Sequence, residues 1–120
     1  MTLDVITLGE TMAMFIATDS GPLAGVEHWV KRTAGAESNV ATGLARLGHR
    51  VGWVSRVGAD SFGTYVREAV AAEGVDVARV ATDPARPTGF MIKSRSDDGQ
   101  DPQVEYWRRG SAASGLSVAD

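Results

Sequence analysis

Two groups of residues in this chain have the types and spacing to hold a polar ligand. The first is Gly35-Ala36-Glu37-Ser38-Asn39, which runs into a helical pattern. A glycine lets backbone approach a ligand closely. The first amides of a helix are free donors, and an asparagine amide donates and accepts at once, which suits ligand hydroxyls. The same residues also read as an ordinary strand-to-helix turn with Ser38 or Asn39 as its cap. The second group is Val104-Glu105-Tyr106-Trp107-Arg108-Arg109. Strand alternation puts Tyr106 and Arg108 on one face and Trp107 and Arg109 on the other. A guanidinium holds a carboxylate in a two-pronged fork. If this face lines a pocket, a ligand with a carboxylate is expected; the alternative is a solvated edge strand whose arginines deter pairing.

Other groups carry less. Gly58-Ala59-Asp60-Ser61-Phe62-Gly63 has the look of a phosphate loop but lacks the Gly-Lys-Ser/Thr ending, so a helix-capping turn on Asp60 is expected. No G-x-G-x-x-G occurs. His28 and His49 have no partner at metal-ligand spacing. Asp97, Asp98 and Asp101 lack the calcium-loop pattern and read as an acidic loop. Met12, Met14 and Phe15 read as core or as the wall of a ligand site.

The elements that must position these groups follow from periodicity. Leu3 to Leu8 reads as a buried first strand, Met12 to Ala17 as a second and Val26 to Thr33 as an exposed third. Asn39 to Gly48 changes period, with Val40, Leu44 and Leu47 on one helical face beside Ala41 and Ala45. Val51 to Val57 is a strand. A helix with the stripe Phe62, Tyr65, Val66, Ala69, Val70 follows and ends at Gly74. Val75 to Ala81 is expected as a short strand. Gly89 to Ser94 and Val104 to Arg108 pair as a hairpin around Asp98-Gly99. Ser117 is placed to cap a further helix. This order implies an α/β fold with parallel strand pairs, and the extra strands form a separate small sheet.

Bulk properties exclude several classes. With 120 residues, 43% hydrophobic and 22% charged, the chain has globular values and length for one domain or part of one. Net charge is −3, and Arg108-Arg109 makes no basic stripe, so neither nucleic acid nor an acidic membrane is an expected partner. There is no cysteine, hence no disulfide framework and no thiolate metal site. No apolar run reaches the ~18 residues of a membrane span, and the first ten residues lack a basic signal-peptide start. A cytoplasmic protein is the expectation.

Three blocks resemble the PfkB-type, ribokinase-like carbohydrate kinases. They are Ile6-Thr7-Leu8-Gly9-Glu10-Thr11, the run from Ala34 to Gly63, and Thr88-Gly89 followed by Tyr106-Trp107-Arg108-Arg109-Gly110-Ser111-Ala112. The third is similar to the sugar-acid branch, above all the 2-keto-3-deoxygluconate kinases. The resemblance implies a ribokinase-like fold: a partial parallel sheet with flanking helices and a small β lid, built from strands in about 12–33 and 88–109. It implies contacts to a sugar acid from Gly35, Asn39, Tyr106 and Arg108. Ala36 adjoins the glycine, and Phe90 and Met91 stand where this branch often carries a tyrosine, so Met91 joins the expected substrate contacts. Met12-Ala13-Met14 stands where ribokinases proper have an aspartate, which disfavours ribose.

The same resemblance implies ATP and Mg2+, with both sites outside this chain, and a homodimer formed through the lid. The family's Gly-x-Gly-Asp motif is absent. No catalytic residue is therefore assigned within 1–120, read as the N-terminal portion of a single ribokinase-like domain, and the proton-accepting aspartate is expected beyond Asp120. Fructokinase-like activity, 5-dehydro-2-deoxygluconate kinase activity, or a non-catalytic sugar-binding or lid-dimerisation role are the alternatives.

Overall fold

A computed structural model describes residues 2–120. Two sheets organise it. The first is parallel and three-stranded, in the order β1 (Val5–Leu8), β4 (Val51–Gly58), β5 (Val80–Asp83). The second has four strands, in the order β3 (Trp29–Ala34), β2 (Met12–Ala17), β6 (Phe90–Lys93), β7 (Val104–Trp107). Its central β2–β6 pair is parallel and its outer pairs are antiparallel. Helices α1 (Ala36–Arg46) and α2 (Ser61–Ala72) flank them. The expected α/β fold with a separate small sheet is present.

The core sits where β4 meets α2. Val51, Trp53 and Val57 of β4 are buried with Val66 and Val70 of α2, Ala41 of α1 and Ala13 of β2. Trp53 is wholly buried, and its indole N–H donates to the Gly9 carbonyl at 3.0 Å, so its one polar group has a partner. A further apolar cluster joins α2 to the second sheet: Phe15, Phe62 and Phe90 pack with centroids 5.4 to 6.4 Å apart, and Trp107 stacks on Phe90 at 5.0 Å.

Asp60 caps α2 as expected, accepting the Gly63 amide at 2.8 Å. Its carboxylate also accepts the Thr88 hydroxyl at 2.7 Å and the Thr88 amide at 2.9 Å. Thr88 in turn accepts the Gly58 amide at 2.8 Å. One carboxylate therefore ties the entry of β6 to the end of β4 and the start of α2. Burial pushes the Asp60 carboxyl up, but the bonds from Thr88 and Gly63 outweigh it and hold the carboxyl below its ordinary value of 3.8.

Three expectations need correction. β1 is an edge strand of the described sheet, and Ile6 and Leu8 are 59% and 61% exposed. The buried face of α1 is Ser38 and Ala41, with Leu44 and Ala45 beside them, while Val40 and Leu47 are exposed. Small side chains let the helix lie close to the sheet, so the face was set by proximity rather than by residue size. The strand expected over 75–81 divides. Asp76 bridges to Gly52, its carboxylate then takes the Ala78 amide at 2.8 Å and turns the chain, and β5 begins only at Val80. At the end of the chain the Ser117 amide donates to the Asp120 carboxylate at 2.9 Å and the Ser117 hydroxyl accepts the Ala119 amide at 3.2 Å, after a 3-10 turn at Ala112–Gly115.

Candidate functional site

A cavity of about 430 Å³ opens where the end of β1, the β3–α1 junction and the β6–β7 hairpin converge. It is lined by Glu10, Met12, Ala34, Gly35, Ala36, Glu37, Met91, Tyr106 and Arg108. The position is physically ordinary for an α/β protein, in which ligands settle outside the carboxyl ends of parallel strands. The register accounts for the hairpin's contribution. Met91 lies opposite Tyr106, and Met14 opposite Met91, so these residues share one face of the second sheet. Arg108 follows two residues after Tyr106 on the same side, with its guanidinium carbon 6.0 Å from the Tyr106 ring centre.

The floor of the cavity is the start of α1. Gly35 is the N-cap and brings no side chain to cap the first turn. The leading amides of α1 are therefore donors without a side-chain acceptor. Ser38 and Asn39 lie inside the helix, which corrects their expected role as caps: the Ser38 hydroxyl donates to the Gly35 carbonyl at 3.2 Å and the Asn39 amide does so at 2.9 Å. Gly35 has extended backbone that any residue adopts. Contact makes it a glycine, because a Cβ there would lie 2.8 Å from the Glu10 carbonyl and 2.9 Å from the Thr11 hydroxyl. That Thr11 hydroxyl is buried and has no hydrogen-bond partner.

Of the six expected contact residues, five meet here: Gly35, Ala36, Met91, Tyr106 and Arg108. Asn39 does not. It lines a separate cleft of about 450 Å³ with Arg32, Thr33 and Tyr65, on the flank of α1 that faces β3 and α2. A full helical turn separates it from Gly35, so nearness in sequence did not carry over to a shared cavity.

Glu10 and Glu37 were not foreseen. Glu10 could have been found, as an acid placed directly after a strand-ending glycine. Its Oε1 is 2.8 Å from Arg108 Nη2, and its Oε2 accepts the Ser111 hydroxyl at 2.5 Å. The fork expected to be free for a ligand is thus engaged on one nitrogen by the protein itself. Among the described residues, no three His, Cys, Asp or Glu side chains gather into a metal-binding group, and no helix is long and apolar enough to cross a membrane.

What this arrangement can do is hold a hydroxylated molecule over backbone donors, with an aromatic wall and a guanidinium at one end. Comparison with known proteins shows which family the chain belongs to. The chain is 52% identical, over its whole length, to the 2-dehydro-3-deoxygluconokinase of Bacillus subtilis strain 168, and spans 37% of that protein. The crystal structure of a PfkB protein from Polaromonas sp. JS666 superposes with a TM-score of 0.94 at 55% identity, covering 98% of this chain and 40% of that one. An uncharacterized sugar kinase, PH1459 from Pyrococcus horikoshii, solved in complex with ATP, superposes with a TM-score of 0.87 at 28% identity, covering 96% and 37%. Residues 2–117 match the family described as pfkB family carbohydrate kinase, and the chain belongs to that family.

Proposed function

We propose that the protein carrying this chain transfers a phosphoryl group from ATP to 2-keto-3-deoxygluconate or a close sugar acid. The observation that carries the reading is the convergence of Gly35, Ala36, Met91, Tyr106 and Arg108 on one cavity. In this reading the backbone at Gly35 and the first amides of α1 take sugar hydroxyls, Tyr106 orients the ring, and Arg108 meets the carboxylate. The second sheet acts as a lid that excludes water and pairs with a second copy. Asn39 would join the site only by way of the neighbouring cleft.

Support for the substrate class comes from the Bacillus subtilis relative, and support for ATP from the Pyrococcus horikoshii complex. Phosphoryl transfer rests on positioning and on charge stabilisation around the phosphates. Among the described residues no three His, Cys, Asp or Glu side chains gather, and no step is assigned to Mg2+ on them. Nor do they include a Gly-x-Gly-Asp motif to accept the hydroxyl proton. The work of this chain is to bind, orient and shield the acceptor. We place the protein in the cytoplasm on the same reading.

The test is a coupled phosphorylation assay of the protein at its natural length with ATP and a panel of 2-keto-3-deoxygluconate, 5-dehydro-2-deoxygluconate and fructose. The keto-deoxy acid is expected to give the highest kcat/KM. Turnover of fructose above both acids would replace the sugar-acid reading with a fructokinase.

A further inference from the structure

Arg108 is poorly suited to fix its own direction. Its side chain is 51% exposed, and a long, solvated arginine samples many rotamers. Glu10 differs in each respect. Its side chain is 10% exposed, and it is held from behind by the hydroxyl of Ser111, a residue only 1% exposed. Gly89 presses on it closely enough that a Cβ there would lie 2.7 Å from Glu10 Oε2. The Ser111 end of this bracket is fixed as well: the Ser111 amide donates to the Arg108 carbonyl at 3.1 Å, and the next amide, of Ala112, donates to the Pro87 carbonyl at 2.7 Å. A largely buried carboxylate, held on its other oxygen, thus grips one terminal nitrogen of a half-exposed guanidinium at 2.8 Å and leaves its other N–H donors for a ligand.

We propose that Glu10 is the positioning residue for Arg108, and that this grip sets the preference of the site for acidic over neutral sugars. The inference rests on the sugar-acid reading above. Preorganising the guanidinium removes the rotamer cost from binding, and only a ligand with a carboxylate gains from it. A neutral ketose gains little from the same bracket, because its hydroxyls are taken by backbone at Gly35 and α1. Charge is secondary to reach: Glu10 partly neutralises Arg108, so its benefit lies in where it holds the guanidinium.

The experiment measures kcat/KM for 2-keto-3-deoxygluconate and for fructose on the protein at its natural length, and reads their ratio. A general loss of folding moves both values together and leaves the ratio alone. Glu10→Ala is expected to lower the ratio about tenfold to a hundredfold, through KM for the acid, as for a lost charge-assisted bond. Glu10→Asp keeps the charge but shortens the reach, so it is expected to fall with Glu10→Ala, and it carries the test if the alanine variant does not fold. Glu10→Gln keeps the reach and an acceptor oxygen, and is expected within about threefold of wild type. An unchanged ratio in Glu10→Asp overturns the inference and leaves the sugar-acid reading intact. A fall in Glu10→Gln as large as in Glu10→Asp also overturns it, in favour of charge. A wild-type protein with no preference for the acid overturns the sugar-acid reading itself, and this inference with it.

Discussion

At Gly35 a single methyl group decides between a binding floor and a clash. The position tolerates any residue conformationally, yet a Cβ would meet the Glu10 carbonyl at 2.8 Å and the Ser38 and Thr11 hydroxyls at similar range. The carbonyl belongs to backbone and cannot swing aside, so relief requires α1 to shift. Gly35→Ala is expected to cost about 1–3 kcal/mol, the usual range for overpacking. Urea unfolding of the variant against wild type measures it. Equal stability would mean that the junction has more room than its distances allow. The requirement for glycine was legible in the sequence, but its cause was not: a close approach to a ligand was expected, and the approach found is to the protein's own β1–β2 turn.

Among the elements, the junction of β4, α2 and β6 depends on Asp60. Its carboxylate satisfies the α2 amide of Gly63 and both polar groups of Thr88. The folded carboxyl lies below the ordinary 3.8, so its contribution is fully present above that value and is lost as pH falls through the lowered folded value. Thermal melts of wild type are expected to show this loss below about pH 4, and Asp60→Asn is expected to flatten that part of the profile. Asp60→Ala is expected to cost about 1–2 kcal/mol at neutral pH, from the cap alone. An Asp60→Asn profile as steep as wild type would assign the acid sensitivity to other carboxylates. Asp60 as a cap was readable from its place before an apolar stripe. Its second duty to Thr88 was not, because those residues are 28 apart in the chain.

For the molecule as a whole, the uncovered side of the parallel sheet matters most. Ile6 and Leu8 on the edge strand β1, with Val40 and Leu47 on α1, present large apolar side chains to solvent. An apolar sheet edge invites association. The 120-residue chain by itself is expected to elute larger than a monomer in size-exclusion chromatography with light scattering, and Ile6→Lys with Leu8→Lys is expected to return it to a monomer. A wild-type chain already monomeric at tens of micromolar would overturn this. The same chain is expected to show no ATP-dependent sugar phosphorylation, since it has no Gly-x-Gly-Asp motif.

The sequence by itself determined the elements and the family. Period-2 and period-3.6 patterns placed β2, β4, β6, β7 and α2 close to where they lie, and the motif blocks identified the family, because both signals are local and lie in contiguous residues. It also put Tyr106 and Arg108 on one face, since alternation along a strand needs no tertiary information. Tertiary structure alone decided which residues share the cavity. It moved Asn39 to a different cleft, exposed Val40 and Leu47 by laying α1 on its small side chains, and brought Glu10 to Arg108 across most of the chain. These outcomes depend on how packed elements approach one another. That is set by the summed contacts of many residues, and no single stretch of sequence records it.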